Sequence, residues 1–149
     1  MTSISESYEL IKSQIRTAEE KSGRVAGSVE LIAVSKTWPA EVVSELVECG
    51  HKDFGENRVQ ELELKHPDLP SSLRWHFIGH LQKNKVRKVL PLSETIHSVD
   101  SLDIARRINA MAHELGLFPK IYIQVNHAKE STKFGFSAEE LSSSFDSLI

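Results

Sequence analysis

The chain has 149 residues, of which 26% are charged and 40% are hydrophobic, and its net charge at pH 7 is -3. This length suits one domain with a sizeable core, and the charge gives no reason to expect a nucleic acid or an acidic membrane as a general partner of the surface. A single cysteine excludes an internal disulfide, and the lack of an apolar run of roughly 18 residues or a signal-like N-terminus predicts a cytoplasmic protein.

Strand-like and helix-like segments alternate along the chain. A helix is predicted over residues 4–22, where apolar residues recur at spacings of three and four before Gly23. Predicted strands begin at residues 31, 53, 74, 95 and 121. Each strand is followed by a segment with a helical apolar stripe: 39–50, 59–66, 82–90, 102–115 and 137–148. This alternation predicts a parallel sheet with crossover helices.

The fifth predicted strand favours a barrel over a doubly wound sheet. One face of IYIQVN at 121–126 is apolar and suits packing under helices, whereas the other is polar and suits a barrel interior near its mouth. Strand starts are about 22 residues apart, so eight units would need roughly 210 residues. We therefore expect an α/β fold, a parallel (β/α) TIM-type barrel that is incomplete, with about five of eight units. The whole chain, residues 1–149, would be one partial barrel domain and the first part of a longer fold.

The segment LIAVSKTWP at 31–39 places a lysine at the end of an apolar strand. Alternation puts Ile32, Val34 and Lys36 on one face. If that face points inward, the Lys36 amine lies at the carboxyl end of the strand, where barrels place their chemistry. Desolvation there would lower the pKa of the amine and let it form an imine with an aldehyde cofactor. The alternative is that Lys36 extends into solvent or pairs with a carboxylate such as Glu56.

Four segments together resemble one known family in their order and spacing: AVSKT at 33–37, FGENRVQE at 54–61, WHFIGHLQKNK at 75–85 and HSVDS at 97–101. The family is that of the pyridoxal phosphate homeostasis proteins, and the resemblance runs from about residue 4 to the C-terminus. It implies an alanine racemase-like barrel and a cytosolic protein that binds pyridoxal 5′-phosphate (PLP) as an imine on the AVSK lysine, here Lys36. Members are regarded as maintaining the supply of this vitamin B6 cofactor without an established catalytic reaction, so the resemblance implies that the chain is not an enzyme.

Two features depart from the family pattern. Arg58 stands where a tyrosine is usual after FGEN. The chain also lacks units beyond the fifth, where such barrels hold phosphate groups and where the family has its serine- and glycine-rich phosphate loops. An arginine expected to face the pyridine nitrogen would lie in that part as well. We therefore expect this chain to hold the cofactor weakly.

Four further polar residues are candidates for cofactor contacts: Asn57, His76, His80 and Asn126. His76 and His80 share a face of the third strand, where a ring could lie near the cofactor or be a hydrogen-bonded core histidine. Four strand residues span about 13 Å, too far for both rings to bind one ion, so no metal site is expected. Asn57 and Asn126 each lie at a strand end, and either could bond a ring substituent or satisfy loop backbone groups.

Two other functions remain open at this point. A PLP-dependent amino-acid racemase or decarboxylase would use the same lysine, but it needs a second acid or base on the opposite face of the cofactor. A nucleic-acid or protein interaction module would use the basic helix 82–90, although a solvated helix face is the simpler interpretation. Independently of function, open apolar edges on the first and fifth strands favour self-association.

Overall fold

Five parallel strands form one sheet in chain order in the computed structural model, which describes residues 3–130 and 132–148. The strands are β1 (Ala33–Val34), β2 (Asp53–Glu56), β3 (Arg74–Phe77), β4 (Thr95–Val99) and β5 (Lys120–Ile123). β1 pairs with β2 alone and β5 with β4 alone, so these two strands are the edges of the sheet. The arrangement is an incomplete (β/α) barrel, as the sequence predicts.

Helices precede β1 and follow every strand. The part of the chain that is described contains α1 (Ile4–Lys21), α2 (Ala40–Glu48), α3 (Val59–Lys65), α4 (Val86–Val89), α5 (Leu102–Leu115) and α6 (Ala138–Ser144). Short 3-10 turns lie at His66–Asp68, Lys83–Lys85 and Phe145–Ser147. Within residues 3–130 and 132–148, none of these helices has both the length and the apolar composition to span a membrane.

The hydrophobic core lies between the helices and one face of the sheet. Its most buried members come from strands and helices alike: Phe54, Phe77, Ile96, Leu62, Val86 and Val89. Successive strand residues point to opposite faces, so the residues between these core positions lie on the other face, which we call the inner face. The inner face is polar along β2 to β5, in agreement with the barrel interior predicted from the fifth strand.

Several predicted element ends are confirmed and others are wrong. β4 and α5 have the predicted bounds, because Ser101 caps the start of α5 and Gly116, with φ of 67°, ends it. β1 covers two residues rather than 31–36, since an edge strand pairs with only one neighbour. β3 and β5 also end three residues earlier than expected. The predicted basic helix 82–90 is instead a 3-10 turn followed by the four-residue α4.

Candidate functional site

Lys36 lies in the turn that leaves β1, which we call the Lys36 turn (residues 35–38). Ile32, before the turn, is on the inner face, because a Cβ atom at Gly55 would lie 3.3 Å from Ile32 Cγ2. Ser35 is buried on the helix side. Alternation therefore puts Lys36 in the same phase as the inner-face residues. It lies at the side of the sheet where the carboxyl ends of all strands meet, which we call the carboxyl edge to distinguish it from the edge strands β1 and β5.

The Lys36 side chain is exposed, and within residues 3–130 and 132–148 it makes no side-chain hydrogen bond or ion pair. The desolvated environment expected for the amine is therefore not found, because β1 is an edge strand and Lys36 lies beyond its last paired residue. The alternative pairing with Glu56 is not found either, since Glu56 binds Lys65. The Lys36 amine is accessible to a ligand from solvent.

A buried ion pair lies next to the Lys36 turn. Lys65 Nζ, at the end of α3, is 2.5 Å from Glu56 Oε1 on β2 and donates to the Ser35 carbonyl oxygen at 2.8 Å. The Lys65 and Glu56 side chains are 7% and 0% exposed. Each member depends on the other, because removal of one would leave an uncompensated buried charge.

Glu61, four residues before Lys65 on α3, contacts the same turn. Its Oε2 accepts the Thr37 N–H at 2.8 Å. This hydrogen bond has the largest effect on the pKa of Glu61, outweighs partial burial and, with the nearby Lys65 charge, lowers that pKa. Sequence reasoning missed both residues, since an (i, i+4) Glu–Lys pair on a short helix is typical of a solvated surface.

Asn57 follows β2 at the carboxyl edge, as expected. Its half-buried side-chain amide makes no hydrogen bond within the described ranges. Its backbone packs against Gly79, two residues after the end of β3, where a Cβ atom would overlap the Asn57 carbonyl oxygen. The chain segments that leave β2 and β3 are therefore in direct contact.

His80 also lies at the carboxyl edge, where it connects three segments. Its Nδ1 is 2.8 Å from Asp100 Oδ2, after β4, and a carboxylate accepts, so Nδ1 donates. Its ring stacks on Phe134, from the loop after β5, with centroids 3.6 Å apart. The role of Phe134 was not predicted from the sequence, because an aromatic residue in a loop belongs to no helical or strand pattern.

His76 lies on the inner face, within β3 rather than at the carboxyl edge. Its Nε2 is 3.2 Å from Asp53 Oδ1, and its Nδ1 is 3.0 Å from His97 Nε2. Asp53 also binds Arg74, and the His97 ring stacks on Tyr122 at 4.9 Å. Both ring nitrogens of His76 are engaged, which is the hydrogen-bonded core histidine that the sequence left open.

This inner-face network shifts two pKa values. Burial acts to raise the pKa of Asp53, but the Arg74 guanidinium and then His76 outweigh it and leave that pKa lowered. Burial, followed by the charge of His76, lowers the pKa of His97. The network therefore favours an ionised Asp53 and a neutral His97, which contact opposite ring nitrogens of His76.

Asn126 lies beyond β5, and its side chain holds the following loop. Its Nδ2 donates to the carbonyl oxygens of Glu130 and Lys133, at 2.9 and 3.0 Å, and its Oδ1 accepts the Glu130 N–H. Of the two interpretations of Asn126, the structure favours satisfaction of loop backbone groups over a direct cofactor contact. The sequence placed Asn126 at the end of the fifth strand, but β5 ends three residues earlier, at Ile123, and the partners of Asn126 were not predicted.

The basic residues after β3 are largely matched by carboxylates. They form three ion pairs: Lys83 with Asp103, Arg87 with Glu114, and Lys88 with Glu63. Each partner lies on a neighbouring helix, so the pairs tie α4 and the preceding turn to α3 and α5. The positive charge that a nucleic-acid backbone would bind is therefore reduced, in agreement with a solvated face.

Comparison with known proteins bears on this arrangement. No family model matches the chain. A pyridoxal phosphate homeostasis protein of Vibrio cholerae is 40% identical to this chain, and the match covers 95% of this chain and 62% of that protein. The chain is homologous to the pyridoxal phosphate homeostasis proteins. The resemblance of the four sequence segments to this family is confirmed, and the chain spans less than two thirds of the length of this homeostasis protein.

Solved structures agree with the homology and the fold. PipY of Synechococcus elongatus, solved with PLP bound, matches with a TM-score of 0.75 and 42% identity over 90% of this chain and 62% of PipY. An alanine racemase of Clostridium difficile matches with a TM-score of 0.66 at 19% identity, over 93% of this chain and 37% of the racemase. The racemase likeness bears on the fold alone, and it confirms the predicted racemase-like barrel.

Proposed function

We propose that this chain binds pyridoxal 5′-phosphate covalently through Lys36 and takes part in intracellular vitamin B6 homeostasis. The observation that carries the proposal is the exposed Lys36 amine at the carboxyl edge, without a competing carboxylate in the described part of the chain. PipY, at 42% identity, has been solved with the same cofactor bound. A cytoplasmic location, which the family resemblance implies, belongs to the same proposal.

The donor set at the carboxyl edge fits the aldehyde end of the cofactor. When bound, PLP supplies an aldehyde carbon with which a lysine amine condenses with loss of water. Lys36 presents this amine. The Asn57 amide and His80 Nε2 make no hydrogen bond to the described residues, so both are available to a ligand. His76 and Asn126 keep their polar atoms engaged within the chain, so we assign them supporting roles on the inner face and in the loop.

The test is covalent trapping of PLP on the purified chain. Borohydride reduction of the mixture is expected to fix the cofactor on the peptide that contains Lys36, as measured by mass spectrometry. Lys36→Ala should abolish this labelling, while Lys52→Ala, at an exposed lysine before β2, should retain it. Unchanged labelling of the Lys36→Ala variant would refute the assignment.

We further propose that PLP binding is not followed by turnover. The support is the name of the relatives, which refers to homeostasis and to no reaction. The racemase or decarboxylase alternative predicts conversion of amino acids by the PLP-loaded chain, above the rate with free PLP. Turnover that disappears in Lys36→Ala would establish that alternative; turnover equal to the free cofactor would support the binding role.

A further inference from the structure

The Lys36 turn has a backbone conformation that needs support. The Trp38 N–H donates to the Ser35 carbonyl oxygen at 3.1 Å, and Thr37 between them has φ of 69°. Positive φ is rare for a β-branched residue such as threonine. Such a conformation persists only where the surrounding structure holds it.

Side chains of α3 hold the peptide groups on both sides of Lys36. Before it, the Ser35 carbonyl oxygen accepts from Lys65 Nζ at 2.8 Å. After it, the Thr37 N–H donates to Glu61 Oε2 at 2.8 Å. Lys65 Nζ is also 3.4 Å from Glu61 Oε2, so one face of α3 supplies both contacts.

Glu56 connects these contacts to the sheet. Its Oε1 accepts from Lys65 Nζ and from the Ser35 hydroxyl, the latter at 2.8 Å. Because Glu56 is on β2 and fully buried, it fixes Lys65 relative to the strand beside β1. Two of the three acidic and basic residues in this arrangement, Glu56 and Glu61, belong to the FGENRVQE segment.

We propose that Glu56, Glu61 and Lys65, which we call the Lys36 clamp, are positioning residues that hold the Lys36 amine in its orientation at the carboxyl edge. Lys65 and Glu61 bond the backbone of residues 35 and 37, whereas Glu56 acts through Lys65 and the Ser35 hydroxyl. Among the described residues, none of the three side chains bonds Lys36 itself. This inference rests on the proposed function of Lys36 and deepens it. A purely structural ion pair would change stability without changing the behaviour of the Lys36 amine.

The test compares Glu61→Ala with Glu63→Ala in the full chain. Glu61 bonds the Lys36 turn, whereas Glu63, on the same helix, forms an exposed pair with Lys88. Loss of a hydrogen bond to a charged group predicts a PLP dissociation constant about tenfold higher for Glu61→Ala, and unchanged for Glu63→Ala. Glu61→Gln keeps an oxygen that can accept the Thr37 N–H, so it should restore most of the affinity.

A second measurement does not use the cofactor. Trace acylation by acetic anhydride, read by mass spectrometry, compares the reactivity of Lys36 with that of Lys52 in each variant. The clamp predicts a changed Lys36 to Lys52 ratio for Glu61→Ala and the wild-type ratio for Glu61→Gln and Glu63→Ala. Lys65→Met is expected to change the ratio further, but it also leaves Glu56 unpaired, so Glu61→Ala keeps the test independent of folding.

The two proposals fail in distinguishable ways. If wild-type chain takes up no PLP on Lys36, the proposed function is wrong, while the acylation ratios still decide whether the clamp orients the amine. If wild-type chain takes up PLP but Glu61→Ala has the same affinity and the same acylation ratio, the clamp is overturned. A changed ratio and weaker binding in Glu61→Ala alone would support it.

Discussion

At the residue scale, His51 joins helix α1 to the sheet. Its Nε2 is 2.8 Å from the Asp53 carbonyl oxygen, and its Nδ1 is 3.3 Å from the Tyr8 hydroxyl. A carbonyl oxygen only accepts, so Nε2 carries the proton and Nδ1 accepts from Tyr8. Burial lowers the pKa of His51, more than the Asp53 hydrogen bond raises it. The folded chain therefore prefers a neutral His51.

This preference predicts a stability that falls in mild acid. Because the folded pKa of His51 is below the unfolded value of about 6.5, the unfolded chain binds more protons as the pH drops. The stabilisation is complete above the unfolded pKa and is lost progressively below it. His51→Gln keeps an N–H donor but does not titrate. It should therefore reduce the pH dependence of the free energy of unfolding, measured in urea, between pH 7.5 and 5.5. The exposed His113→Gln is the control, and an equal slope in wild type and His51→Gln would contradict the prediction.

Gly79 is a second residue whose role can be tested directly. A Cβ atom there would overlap the Asn57 carbonyl oxygen, a backbone atom that cannot rotate away. We expect Gly79→Ala to lower the free energy of unfolding by about 3 kcal/mol, as measured in urea. Gly116→Ala adds only left-handed backbone strain in open space and should cost about 1 kcal/mol. A smaller loss of unfolding free energy for Gly79→Ala than for Gly116→Ala would show that the segments after β2 and β3 can move apart to accommodate the added methyl group.

At the element scale, the bounds of a helix or strand could be predicted from the sequence where the contacts that determine them are local. The start and end of α5 were predicted because Ser101 and Gly116 are local signals in the sequence. The lengths of β1 and β5 were not, because strand length depends on pairing with neighbours that a single segment does not reveal. In the site, alternation put Lys36 in phase with the inner face, but the exposure of its amine was not predicted, because β1 ends at Val34, two residues before the lysine. The burial of Lys65 was not predicted either, because it depends on Glu56, on another element.

The N-terminal cap of α5 gives a prediction for a single element. The Ser101 hydroxyl oxygen accepts the Ile104 N–H at 3.4 Å. Ser101→Ala should lower the free energy of unfolding by about 1 kcal/mol in urea. Ser142→Ala, at an exposed interior position of α6, should cause no loss, because alanine is the better helix former. Equal effects of the two substitutions would mean that the cap contributes nothing.

At the scale of the whole molecule, the sheet has two edges with exposed apolar side chains. Val34 on β1 is 50% exposed and Ile121 on β5 is 41% exposed. Unpaired backbone groups beside apolar side chains are a template for strand addition from another chain. The self-association expected from the sequence therefore stays a prediction, with these two strands as its sites.

Self-association can be assigned to an edge with one pair of variants. Sedimentation velocity should show an average mass that rises with protein concentration, and Val34→Lys should reduce this rise because charge opposes edge pairing. Val25→Lys makes the same chemical change at a residue that is 79% exposed but outside the sheet, and should leave association unchanged. A wild-type chain that stays monomeric at every concentration would contradict the prediction.

The residues of the Lys36 clamp lie close to the Lys36 turn in the sequence, so they are synthesised soon after it. The longest contact of the clamp, from Lys65 Nζ to the Ser35 carbonyl oxygen, spans 30 residues. Contacts over short stretches of chain close quickly, and chains emerge from the ribosome with the N-terminal part first. We therefore expect the support for Lys36 to assemble while β4 and β5 are still being translated, so that the amine is held before the barrel wall opposite it exists.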